Sequence, residues 1–342
     1  MGRTRFAGVS SRAAIPRKTL WHRTARHAVA LLLACVAAAC LGPSASAVII
    51  ADPDGDGSGN TSAPSPDPGW NHVGLRGGGT AIYLGNQWVL TADHVGAGPV
   101  TFGSTTYSLV SGSEVRLQNA DLSYTDLMMF RISSDPGMSA LAISNTTAAL
   151  NWSVTMIGDG RDRGAATTWY VDTTPNPYVW DELPFEGWDA TFDGFKWGAA
   201  NQTQRWGTNV ISDPGVTASY GYGDVSGFKA TFDSDAGDNE AIGASGDSGG
   251  AVFYNDGTSW QLAGVILART AYSGQPDSTS VFSNATFAAD LSVYRDQIVS
   301  LVPEPATLSL LALGSLVFLC RSSWRRTGGA WSHRPRPPRP LT

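Results

Sequence analysis

Ser248 stands in "GASGDSGGAVF", residues 243–253, among four glycines. Neighbours without side chains let a backbone turn sharply and approach another group closely, which strand interiors seldom need. A serine so placed either fills a tight turn or is displayed for attack. A serine hydroxyl is almost wholly protonated at neutral pH, so attack requires a base beside it. Between the two terminal segments the chain has two histidines, His72 and His94. His94 follows two strand-like runs joined by a Gly-Asn turn, "GGGTAIYLGNQWVLTADHVG", whereas His72 sits in "GWNHVG" with no such support. An imidazole base must be held in one tautomer and its cation stabilised, and a buried carboxylate does both. Asp126, which opens the apolar run "DLMMFRI", is the first candidate, and Asp121 in "NADLSYT" is the second.

The elements that must carry these groups read as short β-branched and aromatic runs: "TAIYLG", "QWVLTA", "TTYSLV", "LMMFRI", "SVTMIG", "AVFYN" and "WQLAGVIL". Gly, Asn and Asp punctuate them, the pattern of an all-β barrel or sandwich. Residues 289–301 alone show helical spacing, with Leu291, Tyr294, Ile298 and Leu301 on one face. Residues 161–213 hold five tryptophans with weak periodicity and are expected to pack as ordinary loop.

Together the three fragments resemble the trypsin and chymotrypsin superfamily. "LTADHV" looks like its histidine segment, "DLMMFRI" like its aspartate strand, and "GDSGG" matches its nucleophile motif, all in the family's order. "VTMIGDG" and "WQLAGVIL" are similar to the strands that open the second barrel and follow the nucleophile loop. The resemblance implies two six-stranded antiparallel β-barrels with a short C-terminal α-helix. It also implies a Ser-His-Asp serine endopeptidase acting on protein or peptide without metal or cofactor. His94, Asp126 and Ser248 would be catalytic, the backbone N–H groups of Gly246 and Ser248 would form an oxyanion hole, and Asp247 would brace the loop. In many family members that aspartate pairs with a newly released α-amino terminus. No Ile-Val-Gly-Gly start precedes "HVGLRGGG", so Asp247 is expected to be held by an internal donor, or the loop to form without pro-segment removal.

By the same resemblance Ile242, Leu267 and Arg269 fall at the substrate pocket. Ile242 replaces the acid of trypsins, leaving a basic substrate side chain without a counter-charge. A preference for small or apolar side chains is expected, with Arg269 narrowing the pocket or meeting an acidic substrate. Asp93 replaces a small residue beside His94 and is expected to point into the turn.

The termini carry addresses. Arg and Lys up to Arg26, an apolar run and "SASA" ending at Ala47 have the layout of a secretory signal peptide cut after Ala47. "VPEPATLSLLALGSLVFLCRSSWRR" resembles the PEP-CTERM sorting signal of Gram-negative bacteria, which an exosortase cuts. Its 15 residues between Pro305 and Arg321 fall short of the ~20 that comfortably span a bilayer. The expectation is transient membrane association through this run until it is cut, with a retained C-terminal anchor as the alternative. The expected division is signal peptide 1–47, exposed acidic linker 48–70, first barrel 71–150, second barrel and helix 151–301, sorting segment 302–326 and basic tail 327–342. Signal peptidase and exosortase are the expected processing partners, and the destination is extracellular or cell-surface.

Between Val48 and Pro305 there are 10 Lys and Arg against 29 Asp and Glu, which argues against a nucleic-acid partner. Cys35, Cys40 and Cys320 all lie in the terminal segments, so the central region has no disulfide. Asp52, Asp54 and Asp56 imitate the start of a calcium loop, but Ala63 stands where its bidentate glutamate belongs. Two rival functions remain: a catalytically inactive barrel serving as a binding or extracellular-matrix protein, and an α/β-hydrolase esterase using Gly246, Ser248 and Gly250. The second is disfavoured because strand-helix alternation is missing and both histidines precede the serine.

Overall fold

The computed structural model describes residues 48–52 and 55–302. The two signal-like segments lie outside these residues, except for the first positions of the sorting segment. In chain order the strands are β1 (Ile49–Ile50), β2 (Val73–Arg76), β3 (Gly79–Gly85), β4 (Trp88–Ala92), β5 (Val100–Phe102), β6 (Thr105–Tyr107), β7 (Val115–Gln118) and β8 (Tyr124–Arg131). Then come β9 (Ser153–Gly158), β10 (Arg163–Asp172), β11 (Val179–Asp181), β12 (Ala190–Trp197), β13 (Arg205–Ser219), β14 (Asp224–Thr231), β15 (Ala241–Ile242) and β16 (Ala251–Asn255). β17 (Trp260–Arg269), β18 (Thr279–Val281), β19 (Ala285–Asp290) and the helix α1 (Leu291–Leu301) complete the order.

The protein is all-β apart from short helical elements, and the apolar runs read from the sequence are strands. β9, β13, β14, β19, β17 and β16 close into a six-stranded antiparallel barrel. Strands β2 to β8 form an antiparallel sheet in the order β6-β5-β2-β3-β4-β8-β7. Where a second closed six-stranded barrel is expected, this first sheet has seven strands and no continuous closing ladder. An isolated antiparallel bridge, Leu109 to Ile132, ties the chain after β6 to the chain after β8, and Val110 N donates to Arg131 O at 2.8 Å. The β3–β4 hairpin turns through Asn86 and Gln87, whose φ values of 50° and 68° suit the twist of a tight hairpin.

Alternation along the strands puts successive residues into different cores. Ile82, Leu90 and Leu127 of the first sheet join Ile157, Phe253, Val265 and Phe287 of the barrel in one buried cluster. Met156, Val252, Ile266 and Ala288, each next to one of those strands' inward partners, fill a second. Helix α1 is capped by Asp290, whose carboxylate accepts from Ser292 N at 3.0 Å. It buries Leu291, Tyr294 and Ile298, the face read from the sequence.

Two segments depart from expectation. The stretch expected to open an exposed linker begins with Val48, Ile49, Ile50 and Ala51, all at most 3% exposed. β1 pairs with β15, Ile49 opposite Ile242. The composition of residues 48–70 as a whole hid four consecutive residues with core character. The Trp-rich region is not loop: β11, β10, β12 and β18 make a four-stranded antiparallel sheet, with Trp169 buried inside it.

Candidate active site

Strand β4 ends at Ala92, paired with Leu127 of β8, so the chain leaving β4 passes directly beside Asp126. The turn that follows is closed by Val95 N and Gly96 N on Ala92 O, and it holds His94 above the carboxylate. Asp126 is 1% exposed and uses both oxygens: Oδ1 accepts from His94 N at 2.9 Å, and Oδ2 lies 2.7 Å from His94 Nδ1. The Nδ1–H is therefore the donor in this pair, which leaves Nε2 as the basic nitrogen. Asp121, by contrast, is exposed and caps its own turn through Ser123 N and Oγ. His72 is spent on Ser139 O at 2.8 Å.

Ser248 arrives from the barrel on the loop before β16. Gly249 N donates to Ile266 O and Ile266 N to Gly250 O, both 2.8 Å, fixing the loop to β17. Thr80 of β3 clamps it from the other sheet, with N on Ser248 O at 2.8 Å and Oγ1 on Gly246 O at 2.9 Å. Gly246 has φ of +100°, and a Cβ there would lie 2.7 Å from Gly160 Cα, so no other residue fits. Among the described residues the N–H groups of Gly246 and Ser248 donate to nothing. Ser248 Oγ rests on Leu267 O at 3.4 Å instead of on His94, although both side chains line one cavity of about 300 Å³. A turn about the serine Cα–Cβ bond to another staggered rotamer redirects the hydroxyl.

Asp247 is fully buried and bound by three main-chain donors. Gly160 N reaches Oδ1 at 2.9 Å, Ala244 N reaches Oδ2 at 2.7 Å, and Val48 N donates as well. Burial pushes its carboxyl up to about 7 in spite of these bonds. Beside it Asp159, 4% exposed, has an Oδ2 with no partner, and burial followed by the charge of Asp247 pushes it up to about 8. Two carboxyls thus lie side by side, with the buried Arg205 as a cation acting on Asp247 from beyond ion-pair contact.

Asp93 turns away from the imidazole to pair with Arg116 at 3.1 Å. Arg116 also donates to Thr125 O at 2.7 Å and to the carbonyl of Tyr222. The Tyr222 ring packs against His94 with centroids 5.0 Å apart. Neither Arg116, on β7, nor Tyr222, in the turn between β13 and β14, carried a sequence signal, because each reaches the site only through contacts distant in the chain. Of the expected pocket residues only Arg269 lines a cavity next to Ser248. Ile242 is fully buried against Phe195 and Phe232, and Leu267 is 3% exposed, offering its carbonyl alone. The acidic loop that imitates a calcium site is filled by the chain's own cation: Arg163 donates to the carbonyls of Ile50, Ala51, Asp52 and Gly55.

The Trypsin family model matches residues 58–291, and the chain belongs to that family. The PEP-CTERM protein-sorting motif matches residues 301–326, which implies export and a cell-surface or extracellular location. Comparison with curated protein sequences finds no match. Among solved structures, mouse neuropsin, a serine protease expressed in the limbic system, is similar at 16% identity and TM-score 0.44, covering 71% of this chain and 98% of that one. Human heparin binding protein is similar at 12% identity and TM-score 0.43, covering 70% and 94%.

Proposed function

We propose that this chain is an exported serine endopeptidase in which Ser248 attacks a peptide carbonyl and forms an acyl-enzyme. What supports this reading is one arrangement: an imidazole held by a buried carboxylate, opening onto the same cleft as a serine flanked by two unpartnered N–H groups. His94 Nε2 takes the hydroxyl proton as Oγ bonds to the carbonyl carbon. Asp126 keeps the ring in that tautomer and stabilises the imidazolium. The N–H groups of Gly246 and Ser248 receive the developing oxyanion, each such donor being worth roughly 3–4 kcal/mol in the transition state. His94 then gives its proton to the departing amine, and water repeats the sequence to release the acid.

Processing completes the enzyme. Signal peptidase cuts after Ala47, and the amide of Val48 becomes an α-ammonium facing Asp247, a cation in direct contact that adds to the more distant charge of the buried Arg205. An exosortase acts on the PEP-CTERM segment, whose apolar stretch holds the chain at the membrane until then. Among the described residues no helix is long and apolar enough to cross a membrane.

The test is hydrolysis of an unstructured protein substrate by chain beginning at Val48. Ser248→Ala is expected to lower kcat on the order of 10⁶-fold. Equal hydrolysis by the variant would remove Ser248 from the mechanism and with it this reading.

A further inference from the structure

Two cavities meet at Ser248. The first, already described, includes His94. The second, about 170 Å³, is walled by Trp197, Gly243, Ala244, Ile266, Ala268 and Arg269. On the proposed mechanism the imidazole must protonate the departing amine, so the leaving half of the substrate occupies the cavity of His94. The side chain of the residue whose carbonyl is attacked then falls to the second cavity.

The wall of that cavity is small or apolar except for one charge. Arg269 lies with its guanidinium over the Trp197 ring, 4.9 Å from the centroid, and the Trp197 indole is itself pinned by Nε1 to Ser280 Oγ at 2.8 Å. Of the five N–H donors of a guanidinium, one is used, Nη1 to Thr270 O at 3.1 Å. None of the unpartnered nitrogens is sealed inside the protein. Among the described residues no carboxylate stands within ion-pair distance of Arg269, and Asp277 acts on it only from further away. A half-buried cation with free donors and no carboxylate in contact is an arrangement that a substrate carboxylate relieves with bidentate, charge-assisted hydrogen bonds.

We propose that Arg269 is the specificity determinant of this site and selects an acidic side chain, glutamate or aspartate, on the residue whose carbonyl Ser248 attacks. This rests on the endopeptidase reading and revises the expectation of a small or apolar preference, which leaned on Ile242. Ile242 is packed into the core and does not reach the cavity. The acidic excess of the chain opposes acidic peptides at long range, an effect that is short-ranged at physiological salt, where the screening length is about 8 Å.

The experiment uses chain beginning at Val48, at physiological salt, with peptides identical except for Glu, Asp, Gln, Ala, Val, Phe or Arg at the attacked residue. Glu or Asp is expected to exceed the isosteric Gln in kcat/KM by roughly tenfold to a hundredfold, the range for hydrogen bonds to a charged group. Arg269→Gln is expected to collapse the Glu-to-Gln ratio toward one, and Arg269→Glu to shift preference toward the Arg peptide. Equal turnover of Glu and Gln peptides by the wild-type chain, or preference for Ala or Val, overturns the proposal without any variant having to fold. A fluorophosphonate adduct on Ser248 in the same preparation separates the two readings. Adduct with no acidic preference sinks the specificity alone, and no adduct with no turnover sinks both.

Discussion

The main-chain N–H of Val48 donates to the buried carboxylate of Asp247, next in sequence to Ser248. The contact joins the first residue after the small-residue run ending at Ala47 to the loop that carries Ser248. Everything between these two positions in sequence, nearly the whole domain, lies between the partners of this one bond. Removing the residues before Val48 replaces a neutral donor by a cation at the same place.

The first consequence concerns the exact N-terminus. Chain beginning at Val48 is expected to be at least tenfold more active in kcat/KM, ~1.4 kcal/mol, than chain with Gly-Ser added before Val48. Edman sequencing of the more active fraction from a mixed preparation should read Val-Ile-Ile-Ala. Equal activity of the two forms would mean that the amide alone suffices to hold Asp247.

Stability should carry the signature of the buried acids. Asp159, Asp247 and Glu240 are raised by burial to about 8, 7 and 7 from ordinary values near 4. Between pH 4 and 8 the folded state therefore holds more protons than the unfolded one, and stability falls as pH rises through that window. For chain extended before Val48, Tm is expected to be highest near pH 4–5 and to decline toward pH 8. Asp159→Asn should flatten part of that decline. A Tm rising steadily from pH 4 to 8 would contradict the burial assigned to these groups. Measured on the Ser248→Ala background, the scan is free of self-digestion.

Asp126 and Asp121 separate cleanly. Asp126→Asn leaves a side chain of the same shape but favours the wrong imidazole tautomer, and kcat is expected to fall roughly 10⁴-fold. Asp121→Asn, which touches only Ser123, should change kcat by less than about twofold and Tm slightly. Steady-state kinetics on a single peptide decides between them.

Arg116 links Asp93 in the His94 turn to the carbonyl of Tyr222, whose ring packs on His94. Arg116→Met should loosen that wall of the cleft, raising KM severalfold while kcat changes less. The ion pair itself is partly exposed and contributes only about 0–1 kcal/mol to stability. A large loss of Tm with unchanged KM would place the role of Arg116 in folding instead.

Much of this architecture could be read from the residues because it rests on local pattern. The alternating runs are strands, and Asp126 is legible as an acid at the start of an apolar run, which the structure places inside β8 beside His94. Glycine at position 246 was legible for the same reason: the backbone there needs a conformation that side chains forbid. What escaped notice depends on long-range contact. Val48, Ile49 and Ile50 are three apolar residues preceding an acidic, Gly-rich stretch, and composition averaged over 48–70 buried the signal. Asp247 meets the internal donors expected of it, Gly160 N and Ala244 N, while the further donor, Val48 N, comes from the distant start of that stretch. The resemblance puts Ile242 at the pocket, whereas β15 turns it toward β1 and into the core. The Trp-rich sheet leaves no clear pattern in the sequence because its strands mix exposed polar and aromatic residues without clean alternation, as β10 and β12 do.

The central claim is that Ser248 is a nucleophile activated by His94. Chain beginning at Val48 is treated with a fluorophosphonate and digested, and the adduct is located by mass spectrometry. A single adduct on the peptide containing Ser248, absent from Ser248→Ala and strongly slowed in His94→Ala, is the expected result. A folded wild-type chain that acquires no adduct at Ser248, or labels equally fast without His94, would contradict the account.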